Sequence, residues 1–508
     1  MKSVLLITVQ TLFTLSLFAQ KAPITIETDS KELAEAFDWA KEKARSFVLT
    51  GKSGPVNIYK KDQASETVDY LPSYWAGYPL RTAFYSRDFC HQAIGAHLLG
   101  LEEENFTMLQ AFAKSATKSR KWYPLWAINF DGSPYLLDYK SDQNFVREIP
   151  AVFELVETNF DLYNWTKDTR YLNDASLWTY NQMAVSEFVT LHDVAKVNGV
   201  ADADGAGNIF QGTSTYNEHM DQTLIESGDG IGSQYRAYRS FSEIARLKND
   251  QSLAKEYTKK AQDLWTYFNT DWGIRDNAEL YNRGYDTKRD PVSGWGKENS
   301  WFMPLKGITD LNSTRHQHYL NFIDEQLSSP QGLPKNIEAI TYVPEVFFKY
   351  GQDETGWKWL KYIISKINTV HAVETLTGTN GNYPEVSFVL ISNIVQDLTG
   401  IQPGQGAVSI ETCSHLPQEI GSVKIHNVPI GEALYEVEQK GTQQSTLRYS
   451  GSTQPQQWRA GFPGKHAYLY VNGKKKKSQI GLKNGFTYSY VDLKLVPTTS
   501  YVVTTSAK

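Results

Sequence analysis

The chain has 508 residues, 41% of them hydrophobic and 21% charged, with a formal net charge of −5. That is enough apolar material for one large core and a smaller one, which excludes a disordered default, and the acidic balance leaves no electrostatic footprint for nucleic acid. Aromatic residues reach 13%, including 13 Trp and 30 Tyr, and their flat apolar faces with polar edges suit sugar rings as well as cores.

The first twenty residues, MKSVLLITVQTLFTLSLFAQ, place Lys2 before an apolar stretch from Val4 to Phe18 and end on Ala19-Gln20, the layout of a cleaved secretory signal over 1–20. No Cys follows that stretch to carry a lipid, and no other segment has the apolar length of a membrane span, so the expected product is exported, periplasmic or extracellular. Between 31 and about 400, twelve helix-like segments follow in pairs: 31–50, 87–101, 103–118, 148–165, 168–196, 230–248, 250–270, 298–310, 312–328, 336–350, 352–369 and 385–399. Odd-numbered segments such as SKELAEAFDWAKEKARSF have one wet face, whereas even-numbered ones such as VSFVLISNIVQDLTGI are apolar nearly all round. Alternating outer and inner helices predict a mainly α fold, an (α/α)6 toroid of six helical hairpins, for a catalytic domain over 21–404. The stretch 52–85, rich in Pro, Gly and Tyr, reads as an extended loop crossing to the active face. After 405 the texture turns to short β-branched runs between turn signals, predicting a β-sandwich accessory domain over 405–508. There Lys474-Lys475-Lys476-Lys477 follows Asn472-Gly473 and reads as a solvated loop tip. Cys90 and Cys413 lie in separate segments and read as buried apolar residues, not a disulfide scaffold.

The lead-ins to the inner helices are YSRD (85–88), FVREIP (145–150), LIESGDG (224–230), WGKENSW (295–301), KNIEAITY (335–342) and NYPEVS (382–387), and each contains a carboxylate. Helix capping accounts for any one of them. Six converging on one rim, interleaved with Arg87, Arg147, Trp295, Trp301, Tyr342 and Tyr383, point to a carbohydrate cleft. Glycosidic hydrolysis needs two opposed carboxyl groups, one to protonate the leaving oxygen and one to activate water or attack. DADGAGN (202–208) lacks the distant Glu of a calcium loop and reads as a Gly-rich turn, so no metal or other cofactor is expected. His91 and His97 are six apart, do not share a helix face as paired ligands would, and read as packed or hydrogen-bonded core residues.

Taken together, residues 31–400 resemble the (α/α)6-barrel glycoside hydrolases of the glucoamylase and α-L-rhamnosidase kind. YSRDF is similar to the Trp-x-Arg-Asp segment that opens the second helix of glucoamylases, which implies that Arg87 and Asp88 hold hydroxyls of the terminal sugar. LIESGDG resembles the Leu-Trp-Glu-Glu segment before the sixth helix and implies Glu226 as the general acid; the second Glu is Ser227 here, so Asp229 stands as an alternative. NYPEVSF occupies the place of the catalytic base and implies Glu385, with Glu338 and Glu298 as alternatives that also open inner helices. Trp295, Trp301 and Tyr383 are candidate stacking platforms beside Tyr342, and Arg147 either binds the sugar or pairs with Glu148. The resemblance implies an exo-acting, inverting hydrolase of an oligosaccharide or polysaccharide. Competing readings are an enzyme for uronic acids, a glucuronidase or a polysaccharide lyase, with Arg81, Arg87 or Arg147 on the sugar carboxylate; a carbohydrate-binding protein with a dead catalytic ring; and a sugar epimerase, against which the secretory signal counts.

Overall fold

The computed structural model describes residues 22–217, 223–276 and 279–507, so the secretory signal read over 1–20 lies outside the described residues. Twelve principal helices follow in chain order. They are α1 (Lys31–Ser46), α2 (Ser86–Leu98), α3 (Glu102–Ser115), α4 (Ile149–Thr166), α5 (Ala175–Val185) and α6 (Gly228–Leu247), then α7 (Gln251–Tyr267), α8 (Glu298–Lys306), α9 (Thr314–Leu327), α10 (Val343–Lys349), α11 (Asp353–Lys366) and α12 (Pro384–Ser392). α7 and α12 each run on into a π turn, over Phe268–Trp272 and Asn393–Leu398.

Local chemistry sets these boundaries. Ser30 caps α1, its Oγ accepting from the Leu33 N–H at 3.3 Å, and Leu33, Ala36, Phe37, Ala40 and Ala44 form the buried stripe expected of an outer helix. Every residue of α12 is buried, as an inner helix covered on both sides requires. The segment read as one helix over 168–196 is broken into Arg170–Asn173, α5 and Glu187–His192. Asp174 makes the first break, its Oδ1 accepting from the Ser176 and Leu177 N–H groups and starting a new helix. α8 stops at Lys306, short of the predicted 310, because Gly307 turns to φ +79°.

The even-numbered helices pack in a circuit: α12 on α2, α2 on α4, α4 on α6, α6 on α8, α8 on α10, and α10 on the π continuation of α12. Odd-numbered helices lie against them, α1 on α12, α3 on α2, α7 on α6, α9 on α8 and α11 on α10. Two glycines permit close approaches between inner helices. A Cβ on Gly95 of α2 would stand 2.0 Å from the Phe388 carbonyl oxygen of α12, and one on Gly228 of α6 would stand 2.1 Å from the Asn299 carbonyl oxygen of α8.

The β region forms two sheets. Its strands are β1 (Thr25–Thr28), β2 (Ile401–Pro403), β3 (Ile410–Cys413), β4 (Ser422–Ile430), β5 (Ala433–Lys440) and β6 (Gln444–Ser450), followed by β7 (Gln456–Pro463), β8 (Tyr468–Val471), β9 (Lys474–Lys477), β10 (Gln479–Lys483), β11 (Phe486–Leu495) and β12 (Tyr501–Thr504). One sheet has the order β1-β4-β5-β6-β12-β8-β9 and the other β2-β3-β7-β11-β10. The Tyr435 hydroxyl donates to Gln456 Oε1 at 2.7 Å between them. Two sequence readings change. β1, assigned to the helical domain, pairs antiparallel with β4 from Thr25↔His426 to Thr28↔Val423. The four lysines form edge strand β9, not a loop tip: the tip is Asn472-Gly473, at φ +48° and +77°, which turns β8 back onto β9.

Candidate active site

The inner helices begin at one end of the circuit, where short ladders brace their lead-ins: Ala83–Tyr85 pairs with Ala127–Asn129 before α2, and Leu224–Ser227 with Gly284–Asp286 before α6. Arg87, in the first turn of α2, crosses the interior to α8, three steps round the circuit. Its Nη2 meets Glu298 Oε1 at 3.2 Å, its Nη1 donates to the Tyr216 carbonyl at 3.4 Å, and the guanidinium lies 4.7 Å from the Tyr216 ring centre. Glu298 Oε2 is buried without a hydrogen-bond partner among the described residues.

The other carboxyls stand round this guanidinium. Asp88 accepts from the Tyr383 hydroxyl, and burial raises its carboxyl above the usual range against the pull of that hydrogen bond and of Arg87. Glu338 accepts from Tyr78 at 3.0 Å and meets His371 Nε2 at 2.9 Å. Glu148 accepts from the Trp126 indole at 2.7 Å. Glu385, in the first turn of α12, meets His91 Nδ1 at 2.6 Å; burial pushes its carboxyl up to about 7, opposed by the hydrogen bond and charge of His91. Burial alone would lower His91, but Glu345, 2.7 Å from its Nε2, and Glu385 carry it up to about 9. Glu298, Glu385 and Glu148 all bear electrostatically on Arg87, and Glu338 bears on Asp88. The lead-ins to α2, α4, α8, α10 and α12 thus each deliver a carboxyl to one cluster.

The α6 lead-in does not. Glu226, read as the general acid, is 0% exposed and faces the end of α7: Trp272 Nε1 donates to its Oε2 at 2.5 Å, Asn198 to its Oε1 at 2.9 Å, and Lys196 Nζ stands 3.9 Å away. None of these partners belongs to the Arg87 cluster. Asp229, the alternative acid, is spent on structure: Oδ2 accepts from Thr215 and the Tyr216 N–H, and Oδ1 from Asn299, which fixes the loop carrying Tyr216 beneath Arg87.

Other candidates divide in the same way. Arg147 pairs with Asp204 at 3.5 Å rather than with Glu148, and donates to the Phe145 and Phe210 carbonyls, so it holds the 202–212 loop and does not reach the cluster. Asp202, in the supposed calcium-like turn, accepts the Val194 and Ala195 N–H groups. Trp301 is 0% exposed and closed to any sugar, whereas Trp295 is half-buried with its indole donating to the Gly332 carbonyl. Tyr342 stacks on His91, centroids 3.6 Å apart and planes 8° from parallel, and Tyr383 lies parallel to His371 at 5.6 Å. His97, read like His91 as a core residue, meets the Pro429 carbonyl at 3.0 Å and fits that reading. The sequence reading did not place His91, His371 or Tyr78 in the cluster. For His91 the signal was present, because it stands four residues after Arg87 and therefore on the same face of α2.

With that geometry in view, the likeness to solved structures is informative. The chain superposes on the GH78 family rhamnosidase of Bacillus sp. GL1 with a TM-score of 0.61 at 11% identity, over 84% of this chain and 42% of that one. It superposes on the α-L-rhamnosidase from Dictyoglumus thermophilum with a TM-score of 0.62 at 13% identity, over 96% of this chain and 50% of that one. The chain shares its fold with these two proteins. A sialidase also matches, with a TM-score of 0.51 at 11% identity, over 94% of this chain and 41% of that one. The chain spans half or less of the length of these rhamnosidase-fold proteins. No protein-family model matches the sequence, and no curated protein matches it.

Proposed function

We propose that this protein is an exported, exo-acting glycoside hydrolase, built as a six-hairpin (α/α)6 toroid over 21–404 with a β-sandwich accessory domain from 405 to which β1 and β2 also belong. The observation that carries the reading is the convergence of Asp88, Glu148, Glu298 and Glu385 on Arg87, with Glu338 beside Asp88, at one end of the helix circuit. Buried carboxyls in different surroundings, one paired with an arginine and one with a histidine, are what two-carboxylate hydrolysis requires. The rhamnosidase fold makes a terminal α-L-rhamnoside the first substrate to try.

The assignment of roles follows from the surroundings. Glu298, ion-paired with Arg87, is the carboxylate that draws the proton from the attacking water. Glu385, held up to about 7, gives its proton to the glycosidic oxygen as the bond to the anomeric carbon breaks. Asp88 and Glu338, fixed by Tyr383 and His371, bind hydroxyls of the sugar. Glu385 is therefore the donor and not, as the family resemblance suggests, the base. α12 and α8 stand two steps apart round the circuit, with α10 between them, and inversion is the outcome that the family resemblance implies.

The test is a panel of aryl glycosides, beginning with aryl α-L-rhamnosides, with products followed by proton magnetic resonance to read substrate and stereochemistry together. Glu385→Gln and Glu298→Gln are each expected to lower kcat by about 10²–10⁴-fold. Full turnover in both would reject the assignment. One observation favours a second reading, an enzyme for uronic acids. Arg81 is half-buried beside Tyr78, its centre 5.0 Å from that ring, and its Nε has no hydrogen-bond partner among the described residues. Release of an unsaturated, ultraviolet-absorbing product from a polyuronate would favour that reading as a lyase.

A further inference from the structure

The β region reverses the charge of the chain. Residues 405–508 hold twelve Lys and Arg against six Asp and Glu, inside a protein whose formal net charge is −5. Such an asymmetry points to an anionic partner for that region. The excess gathers on the β8–β9 hairpin, where Lys474, Lys475, Lys476 and Lys477 are all exposed. Among the described residues none of the four joins an ion pair: Lys476 Nζ donates to the Asp492 carbonyl at 3.1 Å, and Lys475 Nζ stands 4.0 Å from the Tyr468 ring centre. A partner's anionic groups therefore displace no carboxylate of this chain when they meet these lysines.

Strand register decides what that partner meets. β8 and β9 pair antiparallel from Tyr468↔Lys477 to Val471↔Lys474. Directly opposed residues share a face, and faces alternate along each strand. Tyr468, Tyr470, Lys475 and Lys477 thus stand on one face of the hairpin, and Leu469, Val471, Lys474 and Lys476 on the other. Leu469 is 0% exposed and Lys476 reaches back to β11, so the second face is the inner one. The outward face alternates two tyrosine rings with two ammonium groups; Tyr468 is 45% exposed and Tyr470 half-buried. Lys475 and Lys477 are separated by about 7 Å along the strand, the advance of two extended residues.

We propose that the outward face of the β8–β9 hairpin is a docking surface for an acidic polysaccharide, a linear chain of uronic acid residues. The tyrosines offer flat apolar faces to the sugar rings, and the lysines between them meet the carboxylates. β9 lies at the edge of its sheet, so an extended chain has an unobstructed border to follow. A bilayer is the poorer fit. Binding at a lipid surface calls for an apolar face, and Ile480, the exposed aliphatic side chain that follows the lysines, sits on β10 in the other sheet. The choice of a polysaccharide among polyanions rests on the glycoside hydrolase reading, whereas the binding itself needs no turnover. Its effect is to keep the enzyme on a polymer, where chain ends are met at a raised effective concentration.

Native electrophoresis of the full chain through gels containing polygalacturonate tests the surface. The wild type is expected to be retarded by polygalacturonate and not by dextran, less so as sodium chloride is added. Lys475→Gln with Lys477→Gln is expected to weaken binding about tenfold. Tyr468→Ala should weaken it at unchanged charge, and Lys475→Arg with Lys477→Arg should keep it. No retardation of the wild type, or equal retardation of the glutamine pair, would overturn the proposal. Unchanged binding in Tyr468→Ala, or equal retardation by duplex DNA, would overturn it too, by reducing the face to a general cation exchanger. Sedimentation with vesicles of phosphatidylcholine and phosphatidylglycerol, without retardation by polygalacturonate, would assign the face to a membrane instead. Retardation by polygalacturonate in a protein that hydrolyses no glycoside would remove the parent reading and leave the surface standing.

Discussion

His91 turns one carboxyl of the cluster into a coupled acid. Glu385 must carry a proton to serve as donor, so kcat/KM is expected to fall as pH rises through about 7, a value that belongs to the Glu385–His91–Glu345 group rather than to one residue. Because the positive imidazole lowers Glu385, His91→Asn is expected to shift that limb to higher pH; initial-rate pH profiles of the two proteins check it, and an unmoved limb would separate His91 from the donor. At this scale much of the site was legible. First-turn carboxylates of inner helices have few directions open to them, which is why Asp88, Glu298 and Glu385 could be read from position alone. Glu226 could not, because it lies on a strand and not in a helix. The partner Gly284–Asp286 that orients that strand, and the Trp272 that takes its carboxyl, are distant in sequence. Trp301 failed for a similar reason: an indole suits a sugar platform or a core equally, and only packing tells which.

α2 and α12 touch more closely than ordinary side chains permit. Gly95→Ala sets a methyl against the Phe388 carbonyl, and the helices must separate to admit it. We expect a loss of about 1–3 kcal/mol, read as a lower denaturation midpoint, together with reduced turnover, because Asp88, His91 and Glu385 ride on the same two helices. As a control, an outer-helix change such as Ala34→Gly, away from that contact, should cost activity nothing beyond its effect on stability. The twelve helical segments were legible because apolar residues recur at the helical period and polar caps mark their starts. The breaks at Asp174 and Gly307 were less so, since a cap inside a long periodic run competes with the run itself. Lys474–Lys477 hid a strand because four like residues have no alternation to read.

Across the whole molecule, the two exposed ends of the seven-stranded sheet differ in kind. β9 ends it with four exposed lysines, a like-charged border that resists pairing with a neighbouring chain. Replacing Lys474–Lys477 with Thr-Val-Thr-Val is expected to raise self-association, seen by light scattering at matched concentration; unchanged scattering would deny the lysines that role. The other end is β1, whose sole ladder partner among the described residues is β4. Thr25 finds His426 only after about four hundred intervening residues have been made, so during synthesis this strand waits, unpaired, while the helices between assemble. Its docking is a late long-range closure, and it ties a strand before the helices to the β region after them.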